Sequence, residues 1–406
     1  MNYDLVIKNG TIVTATSTYS ADIGLKGERI AAIGQQLTGH RLLDATGKMV
    51  TPGAVDIHVH MQMPIGNFTS ADDFYSGTVA AAFGGTTSII DFVERERPLT
   101  FLEAIAARRA QADPRVVIDY GLHMTLGPHE MDLLDQLPDA FAAGCISFKL
   151  YMAYDFCLSD SQMLRALQAV AAVDGLPVVH AENWDVICDL VAQNLAQSHT
   201  SPHWHPRSRP AIMEGEATGR VIDIANLAGT RIHIFHVSSP YAVLRISQAR
   251  EAGQPVTGET CPQYLLLGQE LFDRPGVEGA LPVCSPPIRD KAAQDVLWSA
   301  LGTGELQLVT TDHCPFTRAE KASGLDDYSR IPGGVPSVEM RFPALYTYGV
   351  FAGRITLNQW IDSCCTTPAR LAGLTGKGDI QVGYDADLVI FDPQRTMRLS
   401  TETLHE

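Results

Sequence analysis

Val55-Asp56-Ile57-His58-Val59-His60, directly after Pro52-Gly53, is the stretch on which the fold turns. It is a short apolar run ending in two histidines, and seven further runs of similar length follow it. They are Thr86 to Phe92, Val116 to Met124, Cys145 to Met152, Pro177 to Glu182, Arg231 to Ser238, Pro255 to Thr260 and Glu305 to His313. Helical patterns separate them. One opens near Asp72-Asp73 and closes at Gly84-Gly85. Another opens on Ser159 with Gln162, an S-x-x-Q capping box ahead of Leu164, Leu167 and Val170, with Gly175 in the C-terminal cap position before the fifth run. Strands alternating with helices imply βαβ units and a parallel sheet. Eight such units over about 260 residues predict a closed (β/α)8 barrel, a TIM barrel of the α/β class.

Outward from this core the pattern changes at both ends. Leu5-Val6-Ile7, Thr11-Ile12-Val13 and Ile30 to Ile33 read as short strands punctuated by Asn9-Gly10 and Gly27-Glu28. Asn-Gly between β-type runs predicts a hairpin, and the segment as a whole a small antiparallel sheet. Strand character returns after about residue 377, through Gly378-Asp379-Ile380 to Leu388-Val389-Ile390-Phe391. Residues 1–51 and 377–406 are therefore expected to build one small β-sandwich domain from both chain ends, with residues 52–376 as the barrel.

The 406 residues are 45% hydrophobic, enough for one large core and a small one. With 30 basic against 46 acidic residues the net charge is −16, a poor match to nucleic acid or an anionic membrane. The start Met1-Asn2-Tyr3-Asp4-Leu5 has no basic region leading into an apolar one, and no run of apolar residues is long enough to span a bilayer. Eight cysteines without a CxxC pair fit free buried thiols in a reducing cytoplasm.

Side chains two apart on a strand share a face, so His58 and His60 can both point into a barrel mouth and chelate a metal. In this fold the strands' C-terminal ends carry the chemistry. Lys149, His180, His236 and Asp312 end the fourth, fifth, sixth and eighth runs. Unpaired polar groups crowding one rim would be costly, which favours a shared ion over coincidence. An ammonium cannot ligate a cation. Histidines around Lys149 supply no counter-charge, so its amine is pushed towards the neutral form. It could then take up CO2 as a carbamate and bridge two ions. Other histidines fall outside the set. His233, three residues before His236, is expected on the opposite face against the outer helices, and His313 is out of phase with Asp312. His123 reads as a satisfied core histidine, and His199, His203 and His205 as surface or lid residues.

These residues sit in longer matching stretches: Phe83-Gly84-Gly85-Thr86-Thr87, Ser147-Phe148-Lys149-Leu150-Tyr151-Met152-Ala153-Tyr154, His180-Ala181-Glu182-Asn183, His236-Val237-Ser238, Glu259-Thr260-Cys261-Pro262-Gln263-Tyr264, Ser285-Pro286-Pro287-Ile288-Arg289 and Thr311-Asp312-His313-Cys314-Pro315-Phe316. Across nearly its whole length the chain resembles the cyclic amidohydrolases, and among them the dihydropyrimidinase and D-hydantoinase group. The resemblance implies hydrolysis of a hydantoin or dihydropyrimidine ring to an N-carbamoyl amino acid at two divalent ions. Zinc suits the ligands, with manganese or cobalt able to substitute. His58 and His60 would hold one ion, His180 and His236 the other, and carbamylated Lys149 would bridge them. Asp312 would complete the first ion and shuttle the proton. Tyr154 would stabilise the oxyanion, and Ser285 with the backbone near Pro336 would hold the amide edge of the substrate.

Pro336 stands where many hydantoinases carry asparagine. A similar proline occurs in the phenylhydantoinase-like branch, pointing to bulky 5-substituted hydantoins. Met61, Met63, Pro64 and Phe68 would suit an apolar substituent, as would Met152 and Phe156 if they face the pocket. Dihydroorotase and allantoinase are the nearest alternatives, but dihydroorotase-like sites carry an arginine where this chain has Gln62. A non-catalytic scaffold relative would have lost ligands, whereas all six positions are filled. A mononuclear deaminase would leave Lys149 without a role. The resemblance also implies a homo-oligomer, dimer or tetramer. Relatives usually continue past the equivalent of Glu406, which bears on that assembly.

Overall fold

The computed structural model describes residues 2–406. The N-terminal segment forms β1 (Tyr3–Lys8), β2 (Thr11–Val13), β3 (Thr18–Ser20), β4 (Asp22–Lys26), β5 (Arg29–Gly34), β6 (Gly39–Asp44) and β7 (Met49–Pro52). These make two sheets, not one. The first has the order β5-β4-β1-β6; the second joins β3, β2 and β7 to a strand from the far end of the chain, Leu388–Phe391. Ile7, Ile12, Ile23, Ile30, Val50 and Ile380 fill the space between them.

The expected hairpin at Asn9-Gly10 does not form. β1 pairs with β4 and β6, whereas β2 pairs with β3 and β7. Asn9 has φ 61°, and a Cβ on Gly10 would lie 2.6 Å from Val50, so the pair makes a tight crossing between sheets. Asn-Gly signals a left-handed backbone, and that backbone serves a crossing as well as a hairpin. Gly27-Glu28 does join an antiparallel pair, β4 and β5. The β1–β6 and β2–β7 pairings are parallel, so both sheets are mixed. The last residues do not stay with the sandwich. His405 donates from its backbone N–H to Glu339 at 2.7 Å and stacks on Phe83 with ring centroids 3.6 Å apart.

The barrel begins with β8 (Ala54–Asp56), followed by a small hairpin of β9 (Pro64–Ile65) and β10 (Phe68–Thr69). Then come β11 (Thr86–Val93), β12 (Asp119–Leu126), β13 (Ser147–Tyr151), β14 (Leu176–His180), β15 (Ile232–Ile234), β16 (Val256–Thr260) and β17 (Leu308–Val309). Each barrel strand pairs in parallel with its chain neighbour, giving the order β8-β11-β12-β13-β14-β15-β16-β17. The first and last strands meet just past their ends. Val59 and His313 form a parallel bridge, and His60 N–H donates to the His313 carbonyl at 2.8 Å, which closes the ring. Strands such as β13 and β14 are buried along their whole length, as apolar runs covered on both faces require.

Helix boundaries follow their caps. Asp73 accepts from the N–H groups of Tyr75 and Ser76 to start the helix Phe74–Phe83, and Gly85 at φ 86° follows its end. The Ser159–Gln162 box starts the helix Asp160–Ala172. Gly175 is not its cap: the left-handed residue is Asp174, at φ 53°. Gly175 is there for room, because a Cβ would lie 2.7 Å from the Phe148 ring. Among the described residues no helix is long and apolar enough to cross a membrane. All eight cysteines are free, and two depart from the expected burial: Cys157 is half-buried and Cys188 exposed.

Candidate active site

The six expected ligands converge at the C-terminal mouth of the barrel. His180 is the last residue of β14, and Lys149 lies within β13; His58, His60, His236 and Asp312 follow the ends of their strands. Asp312 Oδ1 is 3.1 Å from His60 Nε2 and 3.1 Å from His58 Nε2. His236 Nε2 is 2.9 Å from His180 Nδ1, and the His58 and His236 ring centroids are 5.3 Å apart. Ligand atoms of His58, His236 and Asp312 lie within 4.8 Å of one another. Lys149 Nζ rests 4.1 Å from the centroid of Phe235.

The donor chemistry fits divalent cations. His236 Nδ1 is buried without a hydrogen-bond partner, and His58 Nε2 has only the Asp312 carboxylate beside it at 3.1 Å, a cost that an ion would remove. Burial pushes His60 down to about 4 and also lowers His180, which favours the neutral imidazole that a metal ion requires. Burial also lowers the Lys149 amine to about 7. It pushes the Asp312 carboxyl up, but the adjacent His58 and His60 imidazoles outweigh it and hold the group well below the usual carboxylate range.

Two carboxylates behind the ligands had no role assigned from the sequence. Glu259, in β16, accepts from His58 Nδ1 at 2.6 Å and from His233 Nε2 at 3.0 Å. Burial would raise its carboxyl, but His58 and His233 pull it down to about 2. Glu182 accepts from His180 Nε2 at 2.8 Å and pairs with Arg209 at 2.6 Å. Each fixes the orientation and tautomer of a candidate ligand ring. The one available signal was an acidic residue at the end of an apolar run, which names no partner.

His233 therefore does not face the outer helices. The period of two held only to the end of β15 at Ile234, and His236, at φ 40°, is turned inward by a left-handed backbone. Asp312 is turned in the same way, at φ 51°. His313 binds Asp72 through Nε2 at 2.9 Å, and His123 is satisfied by the Ile57 carbonyl at 2.7 Å. His203 is half-buried and paired with Asp273, and His199 stacks on Trp204. His205 differs from expectation: it is buried in the cavity wall, its Nε2–H donating to the Cys284 carbonyl at 2.8 Å.

A cavity of about 780 Å³ opens over the ligands. Met63, Pro64, Ile65, Phe68 and Phe156 give it an apolar side, and Tyr154 and Ser285 also face it. Tyr154, at φ 72°, sits with its ring centroid 5.2 Å from His180, and burial raises its phenol so that it stays protonated. Pro336 is exposed and outside the lining; Ile331 to Gly333 supply that wall instead. Met61 and Met152 belong to the core. Gln62 is turned towards Gln111 and Arg115, away from the cavity. Glu94, not singled out in the sequence, also lines it.

A closed parallel barrel with imidazoles, a lysine and a carboxylate gathered at its C-terminal mouth defines a metal-dependent hydrolase of the barrel class. Residues 49–404 match the amidohydrolase family, and the chain belongs to it. It is 46% identical to a D-hydantoinase of Geobacillus stearothermophilus over 98% of this chain and 86% of that one. It is 42% identical to a D-hydantoinase of Streptomyces coelicolor, covering all of this chain and 89% of the relative. The structure of D-hydantoinase from Bacillus sp. AR9 superposes with a TM-score of 0.96 at 45% identity, covering 99% of this chain and 89% of that one. Dihydropyrimidinase from Brevibacillus agri also gives 0.96, at 44% identity over 98% and 88% of the two chains.

Proposed function

We propose that this chain hydrolyses cyclic amides of the hydantoin or dihydropyrimidine type to N-carbamoyl amino acids. The observation that carries the reading is the convergence of four imidazoles, Lys149 and Asp312 beneath a cavity that also receives Tyr154 and Ser285. In this reading His58, His60 and Asp312 hold one divalent ion, His180 and His236 the other. Zinc is the first candidate, and manganese or cobalt would be accommodated by the same ligands. Lys149, held towards its neutral amine, could add CO2 with release of a proton, and the resulting carbamate would supply a carboxylate ligand to the ions.

Bound there, the ions would supply Lewis-acid polarisation of the ring carbonyl and would acidify the attacking water. The residues do the rest. Glu259 and Glu182 hold His58 and His180 in register. Asp312 accepts the proton of the water and passes it to the departing ring nitrogen. Tyr154 keeps its proton and donates a hydrogen bond to the carbonyl oxygen as negative charge develops. Ser285 and the backbone of Ile331 to Gly333 meet the amide edge of the ring.

The catalytic unit is best drawn as residues 52–376, and the sandwich as 1–51 with 377–391. A homodimer or homotetramer follows from the resemblance, and the free cysteines agree with a cytoplasmic setting. The test is a hydrolysis panel of dihydrouracil, hydantoin, 5-phenylhydantoin, dihydroorotate and allantoin, alongside metal analysis. Ring opening of the first three, with about two ions per chain, is expected. Activity on dihydroorotate alone would overturn the substrate class, and Gln62, in place of a carboxylate-pairing arginine and turned towards Gln111, argues against that outcome.

A further inference from the structure

We propose that Glu94 selects the substituent on the ring, favouring substrates whose side chain ends in a basic nitrogen. The inference rests on the cyclic-amide reading and names a substrate class within it. Glu94 directly follows β11, at the mouth of the barrel. The strand order puts β11 and β12 between β8 and β13. The loop after β8 brings Met63, Ile65 and Phe68 to the cavity, and the loop after β13 brings Phe156. Glu94 thus stands between two apolar walls of the same cavity.

Packing gives no reason for an acid there. The Thr125 hydroxyl donates to Glu94 Oε1 at 2.8 Å, and Oε2 has no partner among the described residues. Nearby cations are committed elsewhere. Arg95 pairs with Glu130 at 2.7 Å and donates to the Leu99 carbonyl at 2.8 Å, and Arg108 pairs with Asp91 at 2.5 Å. The side chain is exposed to the water at the cavity mouth.

An alkyl or aryl substituent filling this space would displace that water and leave the free oxygen unpaired. A terminal ammonium, guanidinium or imidazolium would give it a charge-assisted hydrogen bond. The apolar walls would pack along the methylene stem of such a substituent.

The test compares 5-(4-aminobutyl)hydantoin with its neutral isostere 5-pentylhydantoin in metal-loaded wild type, Glu94→Gln and Glu94→Leu. Steady-state hydrolysis gives kcat/KM, and calorimetric titration of the metal-stripped proteins gives Kd. The expected amino-over-pentyl ratio is at least about tenfold in wild type, close to one in Glu94→Gln and inverted in Glu94→Leu, by both readouts. Equal ratios in the three proteins, or a wild-type preference for the pentyl compound, would overturn the assignment. If wild type hydrolyses neither compound nor unsubstituted hydantoin, the reaction reading fails by itself. The calorimetric ratios then decide Glu94 alone: the same order sustains it and equality overturns it.

Discussion

Replacing Glu259 by glutamine isolates the contribution of a carboxylate that touches no substrate. Glu259 is fully buried, bonds His58 Nδ1 at 2.6 Å and His233 Nε2 at 3.0 Å, and accepts from the His236 backbone N–H at 3.3 Å. Its negative charge makes His58 Nε2 a better donor and fixes the tautomer that leaves Nε2 free. Glutamine keeps the volume and one acceptor but loses the charge, and its NH2 must face one of the two rings. Loss of such a partner weakens metal binding by about 10- to 100-fold, equivalent to about 1.4–2.7 kcal/mol. The assay is chelator competition at fixed pH, with metal content read by mass spectrometry and folding checked by a thermal melt of the metal-stripped protein. The ion on His58 should weaken more than the other, because glutamine keeps an acceptor for the His236 N–H at 3.3 Å and Glu182 independently supports His180. Glu182→Gln should weaken the opposite ion, and should also destabilise the fold, because Arg209 loses a buried partner at 2.6 Å. Unchanged affinity for both ions in a folded Glu259→Gln protein would refute the claim that this carboxylate tunes His58.

Other outcomes follow from the same geometry. Lys149→Ala should lower bound metal from about two ions per chain to one or fewer, measured by metal analysis, with hydrolysis lost in parallel. Tyr154→Phe should lower kcat by about 10²- to 10³-fold with a smaller change in KM, as expected for a donor that acts mainly in the transition state. Burial lowers His205 to about 3, so it stays neutral in the folded protein while its unfolded counterpart protonates near 6.5. The folded pKa lies below the unfolded one, so its contribution is intact above about pH 6.5 and is lost as pH falls towards 3, at about 1.4 kcal/mol per pH unit. Urea midpoints at pH 7.5 and 5 should fall more for wild type than for His205→Gln.

Residue order alone carried the barrel and the identity of its six candidate ligands. Apolar runs and helix caps are local signals, and a strand's end places its last side chains at the mouth whatever the rest of the chain does. Tertiary structure decided everything that depended on where a strand stops or on who meets whom. His236 and Asp312 face inward through left-handed backbone beyond their strands, so a period of two misplaced His233. Asn9-Gly10 crosses between sheets because both β1 and β2 find better partners than each other. Pro336 lies outside the cavity because the loop meets it at Ile331 to Gly333. Glu259 orients a histidine 201 residues away, and spacing along a chain holds no record of a contact made only when the barrel closes.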